Sequence, residues 1–165
     1  MKRIGILSDT HISSITEHFV RQCDAAFNGC EIIIHAGDLT DVSILSAFKG
    51  KEVHAVSGNM CNWITRQTLP EEQIIVIDGY SIGITHGAGP RHNIEDRVFS
   101  TFPQVDCIIY GHTHLPCCRK IGTTLLVNPG SFQGTGKFGF AGTYAILHLL
   151  ENGIQSSIHS LSSSP

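Results

Sequence analysis

The amino-acid sequence predicts a single α/β domain whose C-terminal half contributes to a mixed sheet or adds a second sheet. The order strand–helix–strand–helix–strand over residues 3–57 is typical of βαβ units and a parallel sheet. Two apparent hairpins, over residues 116–129 and 139–161, predict antiparallel strands in the second half. The 165 residues are 41% hydrophobic and 15% charged, which suits a chain with a substantial core. We therefore expect residues 1–165 to form one domain.

Six short runs, rich in β-branched residues and bounded by glycine or polar residues, are predicted to be strands. They are residues 3–8, 31–36, 52–57, 73–78, 80–85 and 106–111. The pair Asp78-Gly79 between the fourth and fifth runs is typical of a hairpin turn. In the last predicted hairpin we place the turn at Asn152-Gly153, and we expect the Ser-rich end, residues 162–165, to fray.

Two helices are predicted between the first three strands. Residues 16–29 have apolar side chains at helical spacing and end at Gly29, which suits the position just after a helix. Residues 41–50 repeat this pattern, with Asp41 as the N-cap and a glycine at the end. A less regular apolar pattern predicts a third helix over residues 91–100.

Charge and cysteine content argue against several classes of protein. The net charge of −3, without a Lys/Arg-rich block, gives no signal for strong nucleic-acid binding. No apolar stretch is long enough to span a membrane, and the N-terminal apolar run is too short for a signal peptide, so we expect a cytoplasmic protein. The six cysteines form no C-x-x-C pair and are expected to stay reduced. Exposed strand edges would permit a homodimer.

Polar side chains with metal-binding chemistry follow five of the predicted strands, usually beside a glycine. The residues are Asp9, His11, Asp38, Asn59, His86, His112 and His114. In open α/β sheets, ligands bind outside the carboxyl ends of the strands, so we expect these side chains to converge. Because His112 and His114 are two residues apart after a buried strand, we expect them to point in the same direction.

These side chains form a mixed set of ligands with two carboxylates, four imidazoles and one amide. Such a set suits Mn, Fe, Zn, Ni or Co, whereas Ca and Mg prefer shells made of oxygen alone. Seven ligands are too many for one tetrahedral ion but suit two divalent ions if one carboxylate bridges them. Two such ions can stabilise both the attacking and the leaving oxygen of a transferred phosphoryl group. The sequence therefore predicts a dinuclear phosphoesterase.

Five short motifs follow the strands in a fixed order. They are D-x-H (9–11), G-D (37–38), G-N (58–59), H-G (86–87) and G-H-T-H (111–114). This ordered set resembles the calcineurin-like metallophosphoesterase superfamily, and the short chain and the later N-P-G-S at 128–131 resemble its small prokaryotic phosphodiesterase branch. The resemblance, which spans residues 3–131, implies a four-layer αββα sandwich with two mixed β-sheets packed face to face and helices outside.

The resemblance also implies a role for each polar residue. It divides them into Asp9, His11 and His114 for the first ion, His86, His112 and Asn59 for the second ion, and Asp38 as the bridge. In the family, metal-bridging hydroxide attacks phosphorus without a covalent enzyme intermediate, which makes Asp38 and Asn59 the candidate catalytic residues. The amide NH₂ of Asn59 would be free to meet a phosphate oxygen. Arg91 and His92 are candidate substrate contacts, with a solvated loop as the alternative.

The residues after Asn59 depart from the family pattern. Many relatives continue with His, which is taken as the acid for the leaving group, and then with Asp or Glu, which orients it. The small branch often has Cys and then Asp instead. Here Met60 cannot donate a proton, and Cys61 lies one residue too late. We therefore expect better turnover of aryl or otherwise activated phosphodiesters than of alkyl ones. Ala88 lies after the H-G motif, where relatives often have another histidine. His35 is either a donor to a ligand carboxylate or a core histidine.

Two other functions are alternatives to a phosphodiesterase of small molecules. A non-catalytic scaffold of the same fold would act by binding partners, as a eukaryotic retromer subunit does. Such a scaffold would have no need of seven filled ligand positions. A phosphomonoesterase or protein phosphatase of the same superfamily is the other alternative, against which the short chain and the missing acid argue.

Overall fold

The computed structural model describes residues 2–134 and 141–161, which form ten strands, three α-helices and one 3₁₀ helix. The strands are β1 (Lys2–Leu7), β2 (Ile32–His35), β3 (Glu52–Ala55), β4 (Glu72–Ile77), β5 (Tyr80–Thr85), β6 (Cys107–Ile109), β7 (Cys117–Ile121), β8 (Thr124–Asn128), β9 (Thr143–Leu150) and β10 (Gly153–Ser160). The helices are α1 (Glu17–Ala26), the 3₁₀ helix (Val42–Phe48), α2 (Trp63–Thr68) and α3 (Ile94–Thr101). The six strands predicted from apolar runs are all present.

The strands form two mixed sheets of five strands each. The first sheet has the order β10-β9-β1-β2-β3, with β1, β2 and β3 parallel and β9 antiparallel to both of its neighbours. The second has the order β4-β5-β6-β8-β7, with β5, β6 and β8 parallel and an antiparallel strand at each edge. The predicted βαβ organisation and the hairpins are therefore confirmed.

The two sheets pack face to face, and helices cover their outer faces. Buried aliphatic side chains from both sheets, such as Ile6 and Ile84, form the central core. Phe19 of α1 and Phe48 of the 3₁₀ helix pack on the outer face of the first sheet, and Val98 of α3 packs on the outer face of the second. Each fully buried side chain of this kind contributes roughly 1.5–3 kcal/mol of transfer free energy. The layers confirm the expected αββα sandwich.

The segment predicted as an α-helix over residues 41–50 is a 3₁₀ helix. Asp41 caps it as expected, because its carboxylate accepts a hydrogen bond from the backbone N–H of Ser43 at 2.9 Å. Ser46 donates to the backbone carbonyl of Ser43 at 2.8 Å, a local bond that competes with regular helical pairing. Only Ile44 and Phe48 of this segment are buried, so a short 3₁₀ helix is sufficient to cover the sheet.

Helix α2 follows the Gly-Asn motif and was not predicted, because it has no apolar periodicity. It begins after Asn62, whose side-chain carbonyl accepts a hydrogen bond from the backbone N–H of Thr65 at 2.8 Å. Thr65 is the one buried residue of this helix, whereas Trp63 and Ile64 are exposed. A polar cap, and not an apolar face, therefore starts this helix.

The hairpin of β9 and β10 turns at Glu151-Asn152, one residue earlier than predicted. Gly153, with a φ of 143°, already pairs with Leu150 and begins β10. Residues 139–140 of the predicted hairpin and the Ser-rich end at 162–165 lie outside the described residues. Within the described part of the chain, no helix is long and apolar enough to cross a membrane.

Candidate metal centre

The backbone is left-handed at most of the predicted ligands. Five of the eight non-glycine residues with positive φ in the described ranges are predicted ligands. They are Asp9 (φ 54°), His11 (50°), Asp38 (54°), His112 (70°) and His114 (61°). Such a conformation costs of order 1–3 kcal/mol per residue and persists where the surrounding structure enforces it, often at functional sites. The fold therefore concentrates backbone strain where these side chains converge.

Asp9, His11 and His114 form a first group of metal-binding atoms. Nε2 of His114 lies 3.0 Å from Oδ1 of Asp9, and Nε2 of His11 lies 3.6 Å from the same oxygen. The two Nε2 atoms are 3.3 Å apart. Two ring nitrogens and one carboxylate oxygen within this range could hold one divalent ion. These are the three residues that the resemblance assigns to the first ion.

Asp9, Asp38 and His86 form a second group. Nε2 of His86 lies 3.0 Å from Oδ2 of Asp38 and 3.9 Å from Oδ1 of Asp9. The other oxygen of Asp38 accepts a hydrogen bond from the backbone N–H of Met60 at 2.7 Å. Asp9 belongs to both groups, whereas the resemblance assigns the bridge to Asp38, so the bridging role of Asp38 stays a prediction.

Two buried atoms at this centre fit a bound cation. Oδ1 of Asp9 and Nε2 of His86 have no hydrogen-bond partner among the described residues, although other polar atoms approach each of them to 3.0 Å. Ring nitrogens and carboxylate oxygens that approach one another without hydrogen-bond geometry are expected where their lone pairs all face the position of one cation. Nδ1–H of His86 donates to the carbonyl of Ala36 at 2.8 Å, so in the neutral ring the lone pair lies on Nε2. An unsatisfied buried polar atom costs about 1–3 kcal/mol, a cost that a cation would remove.

Both carboxylates are held in the ionised form. Burial alone would raise the pKa of Asp9, but the close approach of His11 and His114 and the charge of His86 hold it well below its usual value. The pKa of Asp38 is also lowered, because the contact with His86, its charge and the hydrogen bond from the Met60 N–H outweigh burial. Burial lowers the pKa of His86, yet Asp38 and Asp9 outweigh this effect and raise it. A proton or a metal cation at this position would offset the two negative charges.

His112 and Asn59 lie beside the second group. The ring centroid of His112 is 5.2 Å from that of His86, and its Nε2–H donates to the carbonyl of Gly89 at 2.7 Å. Its Nδ1 therefore carries the lone pair, and burial lowers the pKa of His112, which favours this neutral form. Asn59 is exposed and lines a cavity together with His86.

His112 and His114, which were expected to point in the same direction, lie against different histidines of the centre. Both residues follow β6, which ends at Ile109, so the alternation of side chains along a strand does not apply to them. The ring of His114 faces His11 with centroids 5.3 Å apart, whereas the ring of His112 faces His86. The loop therefore delivers one imidazole to each group.

Buried polar groups that sequence reasoning missed hold Asp9 in place. The hydroxyl of Ser8 and the backbone N–H of His112 both donate to Oδ2 of Asp9, the latter at 3.1 Å. The hydroxyl of Ser131 donates to the backbone carbonyl of Asp9 at 2.9 Å. A Cβ at Gly111 would overlap Ser8 and Asp9, so this position needs a glycine.

The N-P-G-S segment ties the end of β8 to the loop that carries the two histidines. The side-chain amide of Asn128 donates to the carbonyl of Gly111 at 2.9 Å and to the hydroxyl of Thr113 at 3.1 Å. Its side-chain oxygen accepts the backbone N–H of Gly130 at 2.9 Å. In the sequence this motif supported the family resemblance, and the structure shows these contacts.

The remaining candidates lie at the margin of the site. Arg91 and His92 are exposed, and the charge of Arg91 adds to the effect of burial in lowering the pKa of His112. His35 is fully buried, and its Nε2 lies 3.1 Å from the hydroxyl of Thr10 and not against a ligand carboxylate. Burial lowers the pKa of His35 to about 3, so the ring is neutral.

The two residues after Asn59 offer no acid to the site. The side chain of Met60 is 59% exposed, and its contribution is the backbone N–H that Asp38 accepts. Cys61 is buried in the core between the first sheet and its helices, and its sulfur accepts the backbone N–H of Gly58 at 3.2 Å. Ala88 is exposed and adds no donor from its side chain.

Comparisons with known proteins agree with this architecture. Residues 1–152 match the calcineurin-like phosphoesterase superfamily domain. A probable metallophosphoesterase of Methanothermobacter thermautotrophicus is 35% identical over 131 residues, which cover 78% of this chain and 76% of that protein. A phosphodiesterase of Methanocaldococcus jannaschii is 28% identical over 151 residues, which cover 80% of this chain and 85% of that protein.

Solved structures share the same fold. A predicted phosphoesterase from Streptococcus pneumoniae has a TM-score of 0.72 at 21% identity, covering 98% of this chain and 93% of its own. A Vps29 variant from Entamoeba histolytica has a TM-score of 0.70 at 19% identity, covering 97% of this chain and 99% of its own. At these identities, the likeness supports the fold alone.

Proposed function

The chain belongs to the calcineurin-like phosphoesterase superfamily, and from that premise we propose that it is a dinuclear metal-dependent phosphodiesterase. The observation that supports this best is the pair of carboxylate–imidazole groups that share Asp9. The buried, unpaired Oδ1 of Asp9 and Nε2 of His86 lie at the centre of these groups. A non-catalytic scaffold would have no need of such an arrangement.

The residues of the centre suit two ions of Mn, Ni, Fe, Zn or Co. Asp9, His11 and His114 would hold one, and His86, His112 and Asn59 the other, with Asp38 between them. When bound, such ions would supply positive charge for the phosphoryl oxygens and favour ionisation of the attacking water. The lowered pKa values of Asp9 and Asp38 keep both carboxylates negative and ready for cations at neutral pH. The amide of Asn59 would orient the phosphate.

A diester is the substrate class that we favour. The relative from Methanocaldococcus jannaschii is named a phosphodiesterase, which supports this choice at 28% identity. The site offers no proton donor at Met60 or Cys61, so the rate should depend on leaving groups that depart without protonation. Aryl phosphodiesters are therefore expected to react faster than alkyl ones.

Restoration of activity by single metals tests this function. The protein is stripped of metal, and Mn, Ni, Co, Zn and Mg are added separately before hydrolysis of bis(4-nitrophenyl) phosphate is measured. We expect activity with at least one of the transition metals or Zn, loss of it in Asp38→Asn, and slower hydrolysis of 4-nitrophenyl phosphate. Inactivity with every ion, or an active Asp38→Asn variant, would contradict the enzyme function.

Three further expectations stay proposals. Arg91 lies close enough to His112 for its charge to reach that residue, which supports a contact with substrate phosphate; its neighbour His92 is exposed in the same loop. Arg91→Ala should then raise KM more than it lowers kcat.

Among the described residues, strand β4 lies at the edge of the second sheet without a partner on its outer side, and Ile74 and Val76 of this strand are exposed. A homodimer would form through this edge. Sedimentation of the protein would test this assembly, and fractionation of cells would test the cytoplasmic location.

A further inference from the structure

A cavity of about 310 Å³ adjoins the second group of the metal centre. Asn59 and His86 lie on its wall, so the cavity opens directly onto the predicted position of the phosphate. The loops after β3 and β5 border it, together with side chains from α2 and α3. Its size suits one substituent of a small phosphodiester.

Arg66 of α2 lines this cavity and is fixed by the Gly-Asn loop. Its Nε–H donates to the backbone carbonyl of Cys61 at 3.0 Å, and its Nη2 donates to the carbonyl of Asn59. A guanidinium has five N–H donors, and no other hydrogen bond of Arg66 occurs within the described residues. The side chain is thus oriented by the loop while donors stay available for a ligand.

The other charged side chains that line the cavity are less able than Arg66 to bind an anion. The guanidinium of Arg97 is occupied by the carbonyls of the β5–α3 loop. Its three bonds go to Gly87, Ala88 and Pro90 at 3.1, 2.9 and 2.7 Å. Glu71 and Glu72 are exposed carboxylates, which repel an anion. The Nε–H of Arg97 has no partner among the described residues, but this atom is buried and inaccessible to a ligand. Arg66 is exposed, and it is therefore the cation with accessible donors on this wall in the described part of the chain.

On the basis of the proposed function, we propose that this cavity takes the leaving group of the diester and that Arg66 stabilises the charge on the departing oxygen. A water oxygen forms the new bond to phosphorus, and the bond from phosphorus to the leaving oxygen breaks. The leaving oxygen departs with the electron pair as an anion, and the water releases one proton to solvent. Arg66 keeps all its protons, because a guanidinium does not act as an acid at neutral pH.

This role explains how the site works without an acid after Asn59. Arg66 is anchored to that same loop, two of whose carbonyls it contacts, so its charge lies beside the positions that carry the acid in relatives. The positive charge of Arg66 is sufficient for leaving oxygens that are already stable as anions, such as those of aryl groups. Alkoxides are much more basic and depend on a proton donor. The substrate class is therefore a phosphodiester with an acidic, compact leaving group.

A series of leaving groups tests the proposal. Methyl aryl phosphates with 4-nitrophenyl, 3-nitrophenyl, 4-chlorophenyl and phenyl groups are hydrolysed by the wild type, Arg66→Gln, Arg66→Lys and the control Arg21→Gln. Arg21 is an exposed arginine of α1, far along the chain from the cavity residues. We expect Arg66→Gln to lose about 10- to 100-fold in kcat for the poorest leaving group and much less for the best. Arg66→Lys should lie between, and Arg21→Gln should match the wild type.

A structural role of Arg66 would produce a different result. If it only held the Asn59 loop, Arg66→Gln would reduce all four rates by the same factor, which would overturn the proposal. A wild type inactive on every substrate with every metal would instead contradict the proposed function itself. An independent readout uses the metal-free protein, where 4-nitrophenolate should shift the NMR signal of the Arg66 Nε–H. The absence of this shift would also count against the proposal.

Discussion

Among single residues, Gly58 shows how tightly the centre is packed. A Cβ at this position would overlap the carboxylate and the backbone nitrogen of Asp38 and would lie 2.8 Å from Cδ2 of His86. Gly58→Ala should therefore displace Asp38 and weaken metal binding by at least tenfold, measured by titration with Mn or Zn. Both neighbours are buried and have little room to move.

Gly122→Ala is the matched control for this change. Gly122 lies in the β7–β8 turn with a φ of 59°, and no atom lies within 4 Å of an added Cβ. The substitution should cost about 1 kcal/mol of stability through the left-handed backbone and leave metal affinity unchanged. Equal metal affinities of the two variants would contradict the packing argument.

The burial of His35 leads us to expect that the stability of the fold depends on pH. Burial lowers its pKa to about 3 from the ordinary value of 6.5, so the unfolded chain binds a proton between these values and the folded chain does not. Stability due to this group therefore falls as pH falls from about 6.5 towards 3, by up to about 1.4 kcal/mol per pH unit. His35→Gln should remove this slope. Urea unfolding of both metal-free proteins at pH 5 and pH 7 measures it, and equal slopes would refute the assignment.

The candidate ligand side chains and their convergence could be predicted from the sequence, but the residues that support them could not. Asp9 and His86 were recognisable because a polar residue followed an apolar run and the motifs came in a known order. Ser8 and Ser131 bind Asp9 from distant parts of the chain, and nothing in their local sequence indicates that contact. The left-handed backbone of His112 also has no local signal, because it is enforced by tertiary contacts.

At the level of elements, the two ends of β8 have different roles, because Asn128 lies near the candidate metal centre and Thr124 lies at the opposite end. Asn128 closes it beside the histidine loop, with three hydrogen bonds to that loop and the following turn. Asn128→Ala should cost about 1–3 kcal/mol of stability, because buried groups lose their partners, and should weaken metal binding as the loop loosens. Chemical unfolding and metal titration measure the two effects separately.

Thr124 at the opposite end of β8 provides the control. It is buried and donates to the backbone carbonyl of Val105 at 2.8 Å, away from the centre. Thr124→Ala should lower stability by about 1 kcal/mol and leave metal affinity as in the wild type. If both variants lost metal affinity equally, the specific role of Asn128 would be wrong.

Elements with a strong apolar pattern were predictable, and elements defined by capping were not. The apolar runs predicted β1 to β6, and helical spacing predicted α1, which begins after its cap Thr16. Helix α2 buries only Thr65, so its sequence has no amphipathic face to recognise. The role of α2 is to place Arg66 on the wall of the cavity.

For the whole molecule, the division into two sheets depends on contacts between distant segments. β9 inserts beside β1 by pairing Leu147 with Ile4, and this partnership joins the two ends of the domain. Hydrophobic runs identify such strands but do not specify which sheet each one joins. The sandwich therefore followed from the family resemblance, while the residue patterns alone led only to a mixed or second sheet.

The candidate metal centre contains residues from both sheets, which predicts that bound ions stabilise the whole fold. Asp9 and Asp38 follow strands of the first sheet, whereas His86 and His114 follow strands of the second. At a free concentration 100 times its Kd, one bound ion should add about 2.7 kcal/mol to the free energy of unfolding. Thermal unfolding at increasing Mn or Zn should show a rising midpoint that a chelator reverses.

Variants that remove one carboxylate separate this linkage from nonspecific effects of the ions. Asp9 belongs to both groups, so Asp9→Asn should abolish nearly all of the metal-induced rise in the midpoint, while Asp38→Asn should retain part of it through His11 and His114. Amide exchange should slow at the carboxyl ends of strands in both sheets when metal binds, because each group of predicted ligands contains residues from both sheets. A midpoint that rose equally in Asp9→Asn and the wild type would mean that the ions bind elsewhere.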